Sequence, residues 1–299
     1  MLKVNLKKLS LICFTTFLAI TLEACSGSSS SVNKLLVSSR NNMVFVKGGT
    51  FTMGQVIYNG QPTQFYTPHK VTLTSYYISK DNVSYGEFDT YTQATKQPYI
   101  NVTLKKYNYF SRAANYPVQY ATWYQAHDYC AWLAKKTGLP YALPTEAQWE
   151  YAARNRGNLN WAFPTNDGTQ KLGVNFPSEQ QLSHQGSPQQ MGDPQPLPVG
   201  SIPCTPMGIC GLAGEAGSWV NDWYAPNYYE VSPINDPQGP KTGTQKILRG
   251  GGAQGDPEYN NNLDRAGQDP NEPLSGFRCV INSATPPNQL GAFAPGYPK

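Results

Sequence analysis

Charge is scarce in this sequence. Asp, Glu, Lys and Arg make up 14% of the 299 residues, against about a quarter in ordinary globular domains. No run of Lys or Arg occurs, so the electrostatic footprint of a nucleic-acid binder is missing. Histidine is rarer still. His69, His127 and His184 are the whole set and show no HxxxH or HExxH spacing, which leaves a histidine-based zinc or iron centre without ligands. There is no nucleophile-elbow pattern to support a Ser-His-Asp triad. Gly250 to Gly255 fit GxGxxG, but the DPEYNNN that follows is a poor helix sequence, so no helix N-terminus awaits a dinucleotide phosphate. Internal repeats are absent, and the longest apolar run, Leu9 to Leu22, falls short of the roughly 20 residues of a membrane span.

What the chain has instead is 20 Tyr, 27 Gly and 25 Pro. That composition suits short elements joined by many ordered loops and argues against a helical bundle. A chain of this length buries about 75% of its unfolded surface, enough for a real core.

The N-terminus reads as an export signal. Lys3, Lys7 and Lys8 precede the apolar run, which ends in Leu22-Glu23-Ala24-Cys25. This resembles the lipobox of bacterial lipoproteins, with Glu23 as the departure from it. The resemblance implies a signal peptide over residues 1–24, a lipidated Cys25 and a flexible tether over 25–39. It further implies a membrane anchor in the cell envelope, and Ser26 after the cysteine favours the outer membrane. Cleavage lowers the formal charge of +4 by two units. In an oxidising compartment Cys130, Cys204, Cys210 and Cys279 suggest two disulfides out of three pairings. The short Cys204–Cys210 loop, with Met207 inside it, reads as a disulfide or as a soft-metal site.

Val44, Val46 and Phe51 flank Lys47-Gly48-Gly49, which predicts a hairpin, and His69 to Ile78 alternates as a second strand region. Ser84/Glu87, Thr122/Gln125 and Thr145/Gln148 are capping boxes that predict three helix starts. On the second helix Trp123, Ala126, Cys130 and Leu133 share one face, which points Cys130 into the core. On the third, Trp149 and Ala152 form an apolar stripe, with Glu146 and Glu150 on a different face. Trp219 and Trp223 are expected in the core. Residues 155–200 read as a long ordered loop and residues 283–299 as a Pro/Gly tail.

Six segments in order resemble the formylglycine-generating enzymes and their sulfatase-modifying-factor relatives: MVFVKGGTFTMG (43–54), residues 117–154 ending in LPTEAQWEYAAR, PVGS (198–201), GLAGEAGSWVNDWY (211–224), LRGG (248–251) and GFRCV (276–280). The resemblance implies one α+β domain over residues 40–282, with a C-type-lectin-like core and little regular structure. It also implies a Cys130–Cys279 disulfide. The family's enzymes bind copper(I) through two cysteines that follow an RGGS motif. Here those positions fall at Gly255 and Asn260, Gly252 replaces the serine, and Tyr259 alone matches an active-site tyrosine. No catalytic residue and no cofactor are therefore expected, apart from a structural calcium for which the resemblance offers Glu215, Ser218 and Asn175. The reading that follows is a lipid-anchored, non-catalytic envelope protein that binds another envelope protein or a glycan, and no nucleic acid. Its rivals are a periplasmic copper-dependent oxidase and a structural subunit of a secretion or motility assembly.

Overall fold

A computed structural model of the chain describes residues 29–103, 112–178, 197–251 and 260–286. The first of these are helical, not a tether: α1 covers residues 29–41. Val32, Leu35, Leu36 and Ser39 recur at helical spacing, and Leu36 is fully buried in the main core. A serine-rich composition hid this face, because packing decides a short helix more than propensity does.

Strand β1 (Met43–Val46) pairs antiparallel with β4 (Tyr76–Ser79), not with the strand that follows it. The hairpin expected around Lys47-Gly48-Gly49 is therefore absent. The true hairpin joins β2 (Gly49–Tyr58) to β3 (Gln61–Leu73) and turns at Asn59-Gly60. Both turn residues have positive φ, 52° and 75°, as a two-residue turn matched to strand twist requires. The expected strand over residues 69–78 is split, its first half ending β3 and its second entering β4.

β4 continues into β9 (Val280–Ile281) and then β5 (Tyr141–Ala142), giving a four-stranded sheet of order β1-β4-β9-β5. Both faces of this sheet are covered. Tyr77, Ile281 and Tyr141 look toward one core. Tyr76, Ile78 and Val280 look toward the other. The first core is built on α2 (Tyr85–Thr95) and α3 (Trp123–Thr137), the second on α4 (Glu146–Ala153) and the base of the hairpin. All three helices begin with the expected reciprocal capping boxes. A second sheet, β6 (Ser218–Trp223), β7 (Lys246–Arg249) and β8 (Arg265–Gln268), is an antiparallel meander.

Cys130 is fully buried on α3 and bonded to Cys279 at the entrance to β9, so one disulfide staples the helical core to the sheet. Residues 155–178 form no strand or helix, in line with an ordered loop. Trp219 is fully buried and its indole donates to the Ala121 carbonyl at 2.8 Å. Trp223 stacks instead on Trp123 from α3. Mixed elements, two disulfides and long irregular connections make this an α+β domain. Among the described residues no helix is long and apolar enough to cross a membrane.

Candidate functional site

The Arg249-Gly250-Gly251 segment leaves β7 between α4 and the 260–265 segment, and buried ion pairs fix its course. Glu150 lies between two guanidinium groups, with Arg154 at 2.8 Å and Arg249 at 2.8 Å, all essentially without solvent exposure. The same carboxylate accepts the Gly54 amide, which ties the hairpin to α4. Arg249 also donates to the Asn262 carbonyl, and Arg265 grips Glu146 through two nitrogens at 2.6 and 3.0 Å. The rings of Tyr66, Tyr224 and Tyr229 surround the Arg265 guanidinium. Burial opposes the charge on both arginines, yet Tyr229 and the neighbouring carboxylates outweigh it and raise the pKa of each. Sequence reading assigns Glu146 and Glu150 to a separate polar face, yet every residue of α4 is buried. The available signal was Glu150/Arg154 at i,i+4.

Beside Gly250 and Gly251 lies a cleft of 180 Å³. Its walls include Gln119, Ser275 and Leu274, and its floor is the backbone of Gly217, Gly250, Gly251 and Gly276. These glycines have no room for a side chain. A Cβ on Gly217 would stand 2.7 Å from Ser275 Oγ, and one on Gly276 would stand 2.6 Å from the Val118 carbonyl. A Cβ on Gly251 would run into the carboxamide of Asn260. Asn260, at one of the two positions where a thiol pair would stand, is thus a buried amide packed against the cleft backbone. Gly255 and Tyr259 lie outside the described residues, as do Cys25, His184, the signal peptide and the end of the tail.

Four cysteines lie beyond residue 28, and they form two bonds, Cys130–Cys279 and Cys204–Cys210. The soft-metal alternative for the Cys204–Cys210 loop falls here, since its two sulfurs are bonded to each other. Arg278, beside Cys279, donates to the carbonyls of Ser79, Lys80, Cys210 and Gly211. It thereby links the short disulfide loop to the end of β4, an inner strand of the main sheet.

The residues suggested for calcium sit in three different settings. Glu215 is buried and accepts from the Gly200 amide at 3.1 Å and the Asn82 carboxamide at 3.4 Å. Burial pushes its carboxyl up to about 7, against the pull of the Arg278 charge. Its neighbours mix these two donors and the Arg278 charge with the carboxylate of Asp81, which also raises its pKa, and calcium takes a shell of oxygens. The Ser218 hydroxyl is buried and has no hydrogen-bond partner among the described residues. Asn175 belongs to a separate loop, where its carboxamide accepts the Lys171 amide and donates to Asn166, Asp167 and the Thr169 carbonyl. Among the described residues no group of three or more His, Cys, Asp or Glu could hold a metal. His127 is half exposed, pairs with Asp128 and stacks on Trp123.

Residues 29–283 match the family described as "sulfatase-modifying factor enzyme 1-like domain". A formylglycine-generating enzyme from Streptomyces coelicolor is 28% identical over 81% of this chain and 90% of its own length. The serine/threonine-protein kinase pkn1 of Chlamydia caviae is 30% identical over 70% of this chain. That kinase is much longer, and the match covers 32% of it. Among solved structures, PvdO from Pseudomonas aeruginosa is similar with a TM-score of 0.62 at 24% identity, over 80% of this chain and 93% of PvdO. That likeness is one of fold. With the family pattern spanning both sheets, the buried arginine–carboxylate network and the glycine-floored cleft, the chain belongs to the sulfatase-modifying factor enzyme 1-like family.

Proposed function

We propose that this chain is a lipid-anchored envelope protein that uses the family fold to bind a partner, without copper-dependent oxidation. The observation that carries the reading is the state of its sulfur. Cys130, Cys204, Cys210 and Cys279 are consumed in two disulfides, and a disulfide offers no thiolate to copper(I). A buried carboxamide, Asn260, stands at one position of the family's thiol pair. The cleft that remains has a floor of bare backbone, which suits an extended segment of another envelope protein better than a bulky group.

The test is direct. Purified protein, reduced copper, a cysteine-containing peptide and oxygen should give no formylglycine and no stoichiometric copper. Stoichiometric copper with turnover, both lost on changing Cys204 or Cys210, sinks the reading in favour of a periplasmic oxidase. In-cell crosslinking from Gln119, at the cleft wall, should capture a protein. Capture of a glycan alone would replace the peptide, and constant stoichiometric recovery in a large assembly would make the chain a structural subunit.

A further inference from the structure

The hairpin carries a second cavity that shares no residue with the glycine-floored cleft. It has a volume of 380 Å³, within the roughly 300–1,000 Å³ of small-molecule sites. Its base is a satellite apolar cluster, Val56, Ala162, Phe163 and Leu263, separate from the two main cores. Tyr58 and Phe65 rise over this base from β2 and β3 and are 46% and 58% exposed. Phe65 stands out because the hairpin register breaks there. Met53 pairs with His69 and Gln55 with Gln64, so residues 65–68 face Gly54 alone. A bulge of that size re-aims side chains off the sheet surface. Phe163 meets Tyr58 edge-on, with centroids 5.7 Å apart. Across their shared wall a second cavity of 470 Å³ continues along the loop at residues 160–170.

The polar groups at this site are unequal. Asn261, Gln170 and Thr63 are neutral, and the lining contains one carboxylate, Asp264, with no Lys, Arg or His. Asp264 Oδ2 accepts from the Asn261 carboxamide at 2.7 Å, and the Asn261 backbone amide also supports this carboxylate. The Arg249 charge is felt by Asp264, but Arg249 forms its ion pair with Glu150. Three aromatic rings beside one half-buried carboxylate that has no ion pair among the described residues favour a positive charge carried on an apolar body. A neutral ligand would desolvate the carboxylate without supplying a counter-charge.

We propose that the cavity walled by Tyr58, Phe65 and Phe163 binds a small organic monocation with an apolar body, its ammonium paired with Asp264. The site is independent of the cleft and of any partner bound there. Calorimetry or ligand-observed NMR on the purified full chain would use 2-phenylethylammonium, its neutral isostere 2-phenylethanol, and a neutral disaccharide. The amine should bind at least about tenfold more tightly than the alcohol. Asp264→Asn should erase that gap while leaving the alcohol unchanged. Phe65→Ala, at an exposed position that leaves folding intact, should weaken both aromatic probes. Equal binding of amine and alcohol overturns the proposal, as does tighter binding of the disaccharide or an amine affinity untouched by Phe65→Ala. Absence of saturable binding by either aromatic probe overturns it as well.

Discussion

Glu150 shows how much of this fold rests on single buried groups. Arg154, Arg249 and the Gly54 amide all converge on its carboxylate, so one side chain joins α4, β7 and the hairpin. Replacing it by glutamine takes the counterion from Arg154 and leaves Arg249 with Glu146 alone, 3.6 Å away. Glu150→Gln should therefore lower unfolding free energy by about 3–5 kcal/mol in urea titrations, and a loss below about 1 kcal/mol would show that the network relaxes. Asp222 makes a second, pH-dependent claim. It is fully buried, and burial together with the nearby Glu146 charge pushes its pKa from the ordinary 3.8 up to about 7. The folded state thus holds the proton more tightly than the unfolded chain, and stability falls as pH rises from about 4 through 7. Asp222→Asn keeps an oxygen for the Glu146 amide, which Asp222 Oδ2 accepts at 2.9 Å. The variant should lose less stability than the parent between pH 5 and pH 8. An unchanged pH slope would count against the argument.

Among the elements, the two disulfides differ in what they close. Cys130 and Cys279 are 149 residues apart, Cys204 and Cys210 only 6. Loop-closure entropy then assigns roughly 5 kcal/mol to the long bridge and about 2 kcal/mol to the short one. Paired alanine substitutions, Cys130→Ala with Cys279→Ala against Cys204→Ala with Cys210→Ala, should follow that order in Tm. The reverse order would mean that the short bridge, held to the sheet by Arg278, matters through native contacts. Both bridges and all three capping boxes were legible in the sequence, since each depends on a residue pattern or on a resemblance carried by short motifs. The first hairpin was misplaced because Lys47-Gly48-Gly49 looks like a turn locally, while strand pairing is decided by distant partners. Gly48 is needed there for another reason: a Cβ would meet the backbone of Leu73, Thr74 and Ser75.

For the whole molecule, motif order was enough for the fold, while of the two positions offered for a thiol pair Asn260 lies against the cleft backbone and Gly255 falls outside the described residues. The satellite cavity was invisible in the sequence, because Phe65, Phe163 and Asp264 meet only once the hairpin folds over the 160–170 loop. Membrane attachment through Cys25 remains part of the proposal above and has its own check. Cys25→Ala should release the protein from membranes and abolish acyl labelling, and labelling that survives the change would refute the anchor.

The helix over residues 29–41 alters what such an anchor would allow. A slack serine-rich leash as far as residue 39 could swing the domain some 50 Å from its lipid, at about 3.5 Å per extended residue. With Leu36 packed in the interior, only residues 26–28 separate Cys25 from the folded body, a reach of roughly 10 Å. A chain tethered that tightly would skim the headgroups, so its partners would have to come to the bilayer surface to meet it.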